Sequence, residues 1–230
     1  MKWDNRSRAS ELLDLPGVPF EAIRQNLIEL KTINHLLGGH RLNIQAVAAL
    51  VKSRPGFSIC EIGSGGGDNL ASIRSWATSN GKSITTTGID LNGECIRYAR
   101  ENDPGTRYLH SDYRQVTFSE KPDIIFSSLF CHHFSDDELV AQLKWMKEYC
   151  NIGFFINDLH RHPVAYYSIK WITALLSRSV LVKNDAPLSV LRGFRREEWV
   201  RLLRKAGIDD YQIRWAWAFR WSILAEVNQQ

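Results

Sequence analysis

The sequence has no apolar run long enough to cross a membrane. Charges interrupt its hydrophobic stretches well short of the roughly 20 residues a bilayer helix needs, so no membrane insertion is expected. The N-terminal Met1-Lys2-Trp3-Asp4-Asn5-Arg6 leads into no apolar h-region or small-residue cleavage site, which argues against a secretory signal. Cysteine is scarce. Cys60, Cys95, Cys131 and Cys150 lie far apart with no CxxC pair, the pattern of reduced core thiols in a cytoplasmic protein. No charge of one sign dominates: a formal net charge of +4 is too mild to demand a nucleic-acid partner, which usually shows as a strong basic patch. Repeats and low-complexity segments are also lacking.

What remains is the material of a packed domain. The chain has 230 residues, 44% of them hydrophobic, which suits one α/β domain with a substantial core. Eight tryptophans exceed the usual number; most belong in a core, and a few suit an aromatic-friendly pocket. Apolar residues at helical spacing predict helices over 20–37, stopped by Gly38-Gly39, and over 42–52. Residues 1–54 thus read as an N-terminal helical cap on a main domain over 55–230. From Phe57 the pattern alternates. Strands are expected at 57–62, 83–90, 106–110, 123–128 and 152–156, with helices at 68–80, 93–101 and 136–149. Such alternation implies a parallel sheet covered on both faces. A helical, lid-like insertion follows over about 163–192, its aromatics Tyr166, Tyr167 and Trp171 read first as core. A helix at 195–206 and two strands at 211–217 and 219–225, joined by a tight turn, complete the chain.

The strongest local signal is Glu61-Ile62-Gly63-Ser64-Gly65-Gly66-Gly67-Asp68. It follows an apolar strand and opens a helix, at the sheet edge where open α/β folds bind ligands. Glycines let the backbone turn sharply and approach a ligand. The N–H groups at the helix start attract carboxylate or other anionic groups. A dinucleotide loop, G-x-G-x-x-G counted from Gly63, would need glycine where Asp68 stands.

The chain resembles the class I S-adenosylmethionine-dependent methyltransferases over roughly residues 57–225. Their acidic-x-G-x-G-x-G loop is matched by Glu61, Gly63, Gly65 and Gly67. Their acidic residue ending strand two is matched by Asp90, followed by Leu91, and the one after strand three by Asp112, followed by Tyr113. The resemblance implies a Rossmann-like, doubly wound, seven-stranded sheet with an antiparallel last strand. It implies S-adenosylmethionine as cofactor, its ammonium near Glu61, its ribose hydroxyls on Asp90 and its adenine at Asp112 and Tyr113. Ser64 would join the loop contacts, and Ser128 would line the methionine side. A further resemblance, to bacterial methyltransferases of secondary metabolism or quinone type, rests on residues 26–39, 158–161 and 189–192. It implies a small-molecule acceptor, aromatic or polyketide-like.

Methyl transfer needs an aligned nucleophile, and an oxygen nucleophile also gains from a general base. Cys131-His132-His133-Phe134 after strand four and Asn157-Asp158-Leu159-His160-Arg161-His162 after strand five offer His133, His160 and Asp158 as catalytic candidates. Each also has a structural reading, as a helix cap or a solvated loop residue. Arg192 reads as a surface residue in preference to a pocket residue. No metal is expected: strand four ends in Ser127-Ser128 without a carboxylate, and no tight histidine spacing marks a zinc site. The leading expectation is O-methylation of a small molecule. The alternatives are an RNA or protein methyltransferase, or a non-catalytic S-adenosylmethionine-binding protein.

Overall fold

A computed structural model describes residues 3–15 and 17–227. Met1 and Lys2, part of the stretch read for a secretory signal, lie outside them. Among the described residues, seven strands form a single sheet in the order β3-β2-β1-β4-β5-β7-β6. The strands are β1 (Gly56–Ile62), β2 (Ser83–Asp90), β3 (Arg107–His110), β4 (Ile124–Ser128), β5 (Gly153–Leu159), β6 (Gln212–Ala216) and β7 (Arg220–Glu226). The first five are parallel, and β7 runs antiparallel between β5 and β6. The chain moves outward from β1 to β3 and then returns to β4 beside β1. That reversal leaves a crevice at the carboxyl ends of β1 and β4, the usual ligand position in such sheets.

Eight α-helices accompany the sheet among the described residues: α1 (Phe20–Leu36), α2 (Gly39–Val51), α3 (Asp68–Ser79), α4 (Gly93–Asn102), α5 (Asp136–Tyr149), α6 (Pro163–Leu176), α7 (Val180–Arg192) and α8 (Arg196–Lys205). The sheet is buried on both faces. On one face, Val47, Leu50 and Val51 of α2 and Leu70 and Ile73 of α3 meet Ile59, Phe126 and Phe155. On the other, Leu139, Leu143 and Met146 of α5 and Trp199, Leu202 and Leu203 of α8 meet Cys60, Ile125 and Phe154. Within residues 1–54, α2 is therefore part of the layer on the sheet, while α1 packs against α2, α4 and α7. All four cysteines are buried and free.

Local chemistry sets the helix ends. Ser135 and Glu138 form a reciprocal capping box at the start of α5, and Asn92 caps α4 by accepting from Glu94 and Cys95 N–H. Three expectations change. The lid-like segment is two helices: Ser179 caps α7 by accepting from Val182 N–H, and the break is held by Glu29 of α1, whose carboxylate accepts from Ser177 and from the Arg178 and Ser179 N–H groups. Strand five runs past 156 to Leu159, because β7 continues to pair with it through Asp158 and Leu159. Tyr167, Trp171, Leu175 and Leu176 are exposed rather than core, since α6 buries only Ala165 and Thr173. None of the helices among the described residues is long and apolar enough to cross a membrane.

Candidate active site

The turn after β1 folds back on the neighbouring strand: the N–H groups of Gly63 and Ser64 both donate to the Ile89 carbonyl. Gly63 holds a positive φ of 69°, and a Cβ there would fall 2.2 Å from the Phe130 ring. Glycine is thus required both by the turn and by the approach of the segment after β4. Gly65 N–H donates to Asp90 Oδ2 and Asn92 N–H to Asp90 Oδ1, each at 2.8 Å. One carboxylate therefore joins the glycine turn to the end of β2. Burial raises its pKa, and those two N–H groups oppose the rise.

Glu61 is fully buried. Its Oε1 accepts from Asn69 Nδ2 at 2.7 Å, while Oε2 has no partner among the described residues. Burial, reinforced by the charge of Asp68, holds its pKa well above the usual carboxylate range. Asn69 ends a buried amide chain. Asn157 donates to Asn43 at 2.9 Å, and Asn43 donates to Asn69 at 3.0 Å. Asn34 also donates to Asn69, and its carbonyl accepts from Arg220. Ser128 Oγ accepts from Asn43 and Asn157. The sequence did not mark Asn43, Asn69 or Arg220, which come from three different elements. Asp112 stands at the rim in a salt bridge to Arg114 (2.5 Å), with Tyr113 buried beside it against Trp145.

A cavity of about 1040 Å³ opens from this edge of the sheet. Gly63, Ser64, Gly65, Asp90, Leu91, Asp112, Tyr113 and Ser128 line it; Glu61 and Gly67 stand behind that wall. Its volume reaches the top of the range of roughly 300–1,000 Å³ for one drug-sized ligand. The apolar part of its wall comes from α1, α6 and α7, with Ile33, Ile169, Ile172 and Val190 among its residues.

His132 and His133 face the same cavity from a short 3₁₀ turn after β4, and Glu11 approaches from the segment before α1. Asp158 accepts from His132 at both Nδ1 (2.8 Å) and the backbone N–H (3.2 Å). Burial alone would lower the His132 pKa. The Asp158 carboxylate, by its charge and its hydrogen bond, and the nearby Glu11 carboxylate outweigh it and raise the pKa to about 9. Glu11 answers in the opposite sense: burial would raise it, but His132, His133 and Ser189 pull it down to about 2. His133 Nδ1 meets Asp14 Oδ2 at 3.1 Å.

The other catalytic candidates sit apart from the cavity lining. Asp158 is fully buried behind His132. The His160 ring packs against His162, Phe219 and Trp221, with Nδ1 buried and lacking a hydrogen-bond partner among the described residues. Arg192, expected at the surface, is buried instead. It donates to the carbonyls of His132, His133 and Ala9, and so fixes the histidine turn from below. Arg161 is likewise buried, in a two-pronged pair with Glu198.

Comparison with known proteins bears on the same region. Residues 59–153 match the family described as methyltransferase domain. That match runs from within β1 to the start of β5 and takes in the glycine turn, Asp90 and Asp112. Among solved structures, the plantazolicin methyltransferase BpumL in complex with SAH is 15% identical. It has a TM-score of 0.68, and the match covers 89% of this chain and 90% of that one. Human N-acetylserotonin methyltransferase in complex with SAM is 19% identical at a TM-score of 0.63, over 91% of this chain and 56% of that one. Magnesium protoporphyrin IX methyltransferase from Synechocystis PCC 6803 with bound SAM is 12% identical at 0.57, over 86% and 84%. At these identities the likeness is one of fold. No curated protein matches by sequence.

Proposed function

We propose that the protein methylates a hydroxyl or phenol oxygen of a small-molecule acceptor, using S-adenosylmethionine. The observation that carries this reading is that the glycine turn with Asp90 and the His132–His133 turn line one cavity. The cofactor fits the residues present. The unpartnered Glu61 Oε2 suits an ammonium group, the Asp90 carboxylate keeps lone pairs for ribose hydroxyls, and Asp112 and Tyr113 suit the adenine. Leu91 and Ser128 complete the contacts, and Ser64, Gly65 and Gly67 shape the turn. When bound, the cofactor supplies an electrophilic methyl group on a sulfonium leaving group.

The chain's own residues then have three tasks. The apolar wall from α1, α6 and α7 excludes water and orients an acceptor, which contributes much of the rate in an in-line displacement. Segment 1–54 supplies α1 to that wall, and segment 163–192 supplies the rest as a lid. His133 is the proton acceptor we assign, because it lines the cavity and its Nδ1 is held by Asp14, which leaves Nε2 inward. Asp158 acts through His132 as a positioning residue.

The acceptors named for the three neighbours differ from one another, so none is carried over. The apolar wall supports an aromatic or polyketide-like molecule, and a place in cytoplasmic secondary metabolism belongs to the same reading. The test is transfer of a labelled methyl group to a panel of phenols, hydroxyquinones and hydroxy acids. Transfer to an oxygen is the expected result. Tight cofactor binding without transfer to any of them would favour a non-catalytic binding protein, and transfer only to RNA or protein would favour that rival.

A further inference from the structure

Glu11, His132 and His133 each offer a donor atom, and these atoms lie within 4.8 Å of one another. We infer that they form a site for one divalent transition-metal ion of the zinc type, on the acceptor side of the cavity. The proposal rests on the function above only for what lies next to the ion; metal binding itself needs no methyl transfer.

The first argument is distance. His132 Nε2 is 3.4 Å from Glu11 Oε1, and His133 Nε2 is 3.8 Å from Glu11 Oε2. Both exceed the range of roughly 2.7–3.2 Å for a well-made N–H···O bond. Ligand bonds of about 2.0–2.2 Å in a tetrahedral site put neighbouring donors roughly 3.3–3.5 Å apart. The two histidine–Glu11 separations are near that spacing already.

The second argument is orientation. Imidazole ligands almost always donate their other ring N–H to a carboxylate, carbonyl or water, which fixes the tautomer. Here both do so: Asp158 holds His132 Nδ1 at 2.8 Å, and Asp14 holds His133 Nδ1 at 3.1 Å. Each ring is left with Nε2 directed at the same carboxylate. Ser189 Oγ donates to Glu11 Oε1 at 2.6 Å and steadies it.

Charge is the third argument. Three carboxylates, Glu11, Asp14 and Asp158, surround two imidazoles. The Arg192 guanidinium faces Glu11 and Asp14 at 3.6–4.0 Å, while Arg6 and the buried Arg220 act on Asp158. No cation stands between the two Nε2 atoms and Glu11 among the described contacts, so the donor set itself favours a cation there. Three protein ligands with a fourth side open to the cavity is the pattern of a catalytic rather than a structural zinc site. An acceptor hydroxyl bound at that open side would be made more acidic, as metal-bound water is. In the metal-bound protein the imidazoles would act on the acceptor through the ion, in place of taking its proton themselves.

The test uses the full chain, stripped of metal, titrated with Zn²⁺ by calorimetry and with Co²⁺ by visible absorption. One equivalent should bind, with the intense bands of a four- or five-coordinate Co²⁺. Asp14→Asn, which removes only the carboxylate behind His133, should weaken binding by roughly 10–100-fold. Glu11→Gln and His133→Ala should weaken it further. S-adenosylmethionine binding on the same variants reports whether they remain folded. A weak six-coordinate spectrum from the wild-type chain, or Zn²⁺ affinity unchanged in both Asp14→Asn and His133→Ala, would overturn the site and leave an ion-pair network only. Wild-type metal binding without methyl transfer to any acceptor would uphold the site and count against the function proposed above.

Discussion

His132 Nδ1 lies 2.8 Å from Asp158 Oδ1, with both side chains buried. The contact follows from strand order: β4 and β5 are parallel neighbours with Ser128 opposite Asn157, so the turn after β4 falls across the end of β5. Removing one member of a buried pair leaves the other uncompensated, at a cost of about 3–5 kcal/mol. Asp158→Ala should lose that much stability in urea denaturation. A loss below 1 kcal/mol would mean that the imidazole and carboxylate are not a coupled pair.

Gly63→Ala should destabilise the protein by about 2 kcal/mol or more, because a left-handed residue acquires a Cβ that collides with Phe130. Gly65→Ala is the control. It shares the positive φ, but its Cβ would meet only Leu27 at 3.9 Å, so backbone strain alone remains. Equal losses for the two variants in thermal unfolding would remove the proposed role of the Phe130 contact.

Much of this arrangement was legible in the sequence, for a physical reason. The glycine turn, Asp90 and Asp112 are each fixed by residues adjacent in the chain, and strand ends recur in order along an alternating fold. The end of β5 reads as a loop in the sequence because Asn157 and Asp158 are polar. They tolerate burial only because Asn43, Ser128 and His132 arrive from other elements to satisfy them. Glu11 left no signal at all, since it sits in an irregular segment and gains its role from contacts with β4's turn and α7. α6 differs in the opposite sense: its apolar residues suggest a core helix, yet only Ala165 and Thr173 are buried and Ile169 and Ile172 face the cavity.

Asp90→Ala should weaken S-adenosylmethionine binding by about 1.5–3 kcal/mol, roughly 10–150-fold, through loss of charge-assisted hydrogen bonds. Part of the loss comes from the turn itself, since Gly65 N–H and Asn92 N–H lose their acceptor. Calorimetry reads the change directly, and unchanged affinity would sink the assignment of Asp90 to the cofactor.

Glu61 predicts a pH effect of definite sign. Its folded pKa lies above its unfolded value of about 4.5, so the folded protein binds more protons across that window. Stability of the ligand-free protein should therefore fall as pH rises from about 4.5 through the raised value. Glu61→Gln should remove that slope, because the amide has no proton to lose in the buried site. The same variant should bind the cofactor less tightly, having lost the charge that faces the ammonium. Denaturation curves at several pH values that are parallel for wild type and variant would refute this.

The two histidine candidates separate by position. His133 lines the cavity, whereas His160 is packed among His162, Phe219 and Trp221. Burial, helped by the neighbouring His162 and Arg161 charges, lowers the His160 pKa, and its backbone N–H is tied to the Phe219 carbonyl at 2.8 Å. Its place is in the junction between β5 and the β6–β7 turn. At saturating cofactor, His133→Ala should lower kcat by roughly 100- to 10,000-fold, the usual contribution of a positioned acid or base, with cofactor affinity preserved. His160→Ala should instead lower thermal stability and leave kcat nearly intact. A large fall in kcat for His160→Ala, with His133→Ala fully active, would reverse the assignment and move the acceptor toward β7.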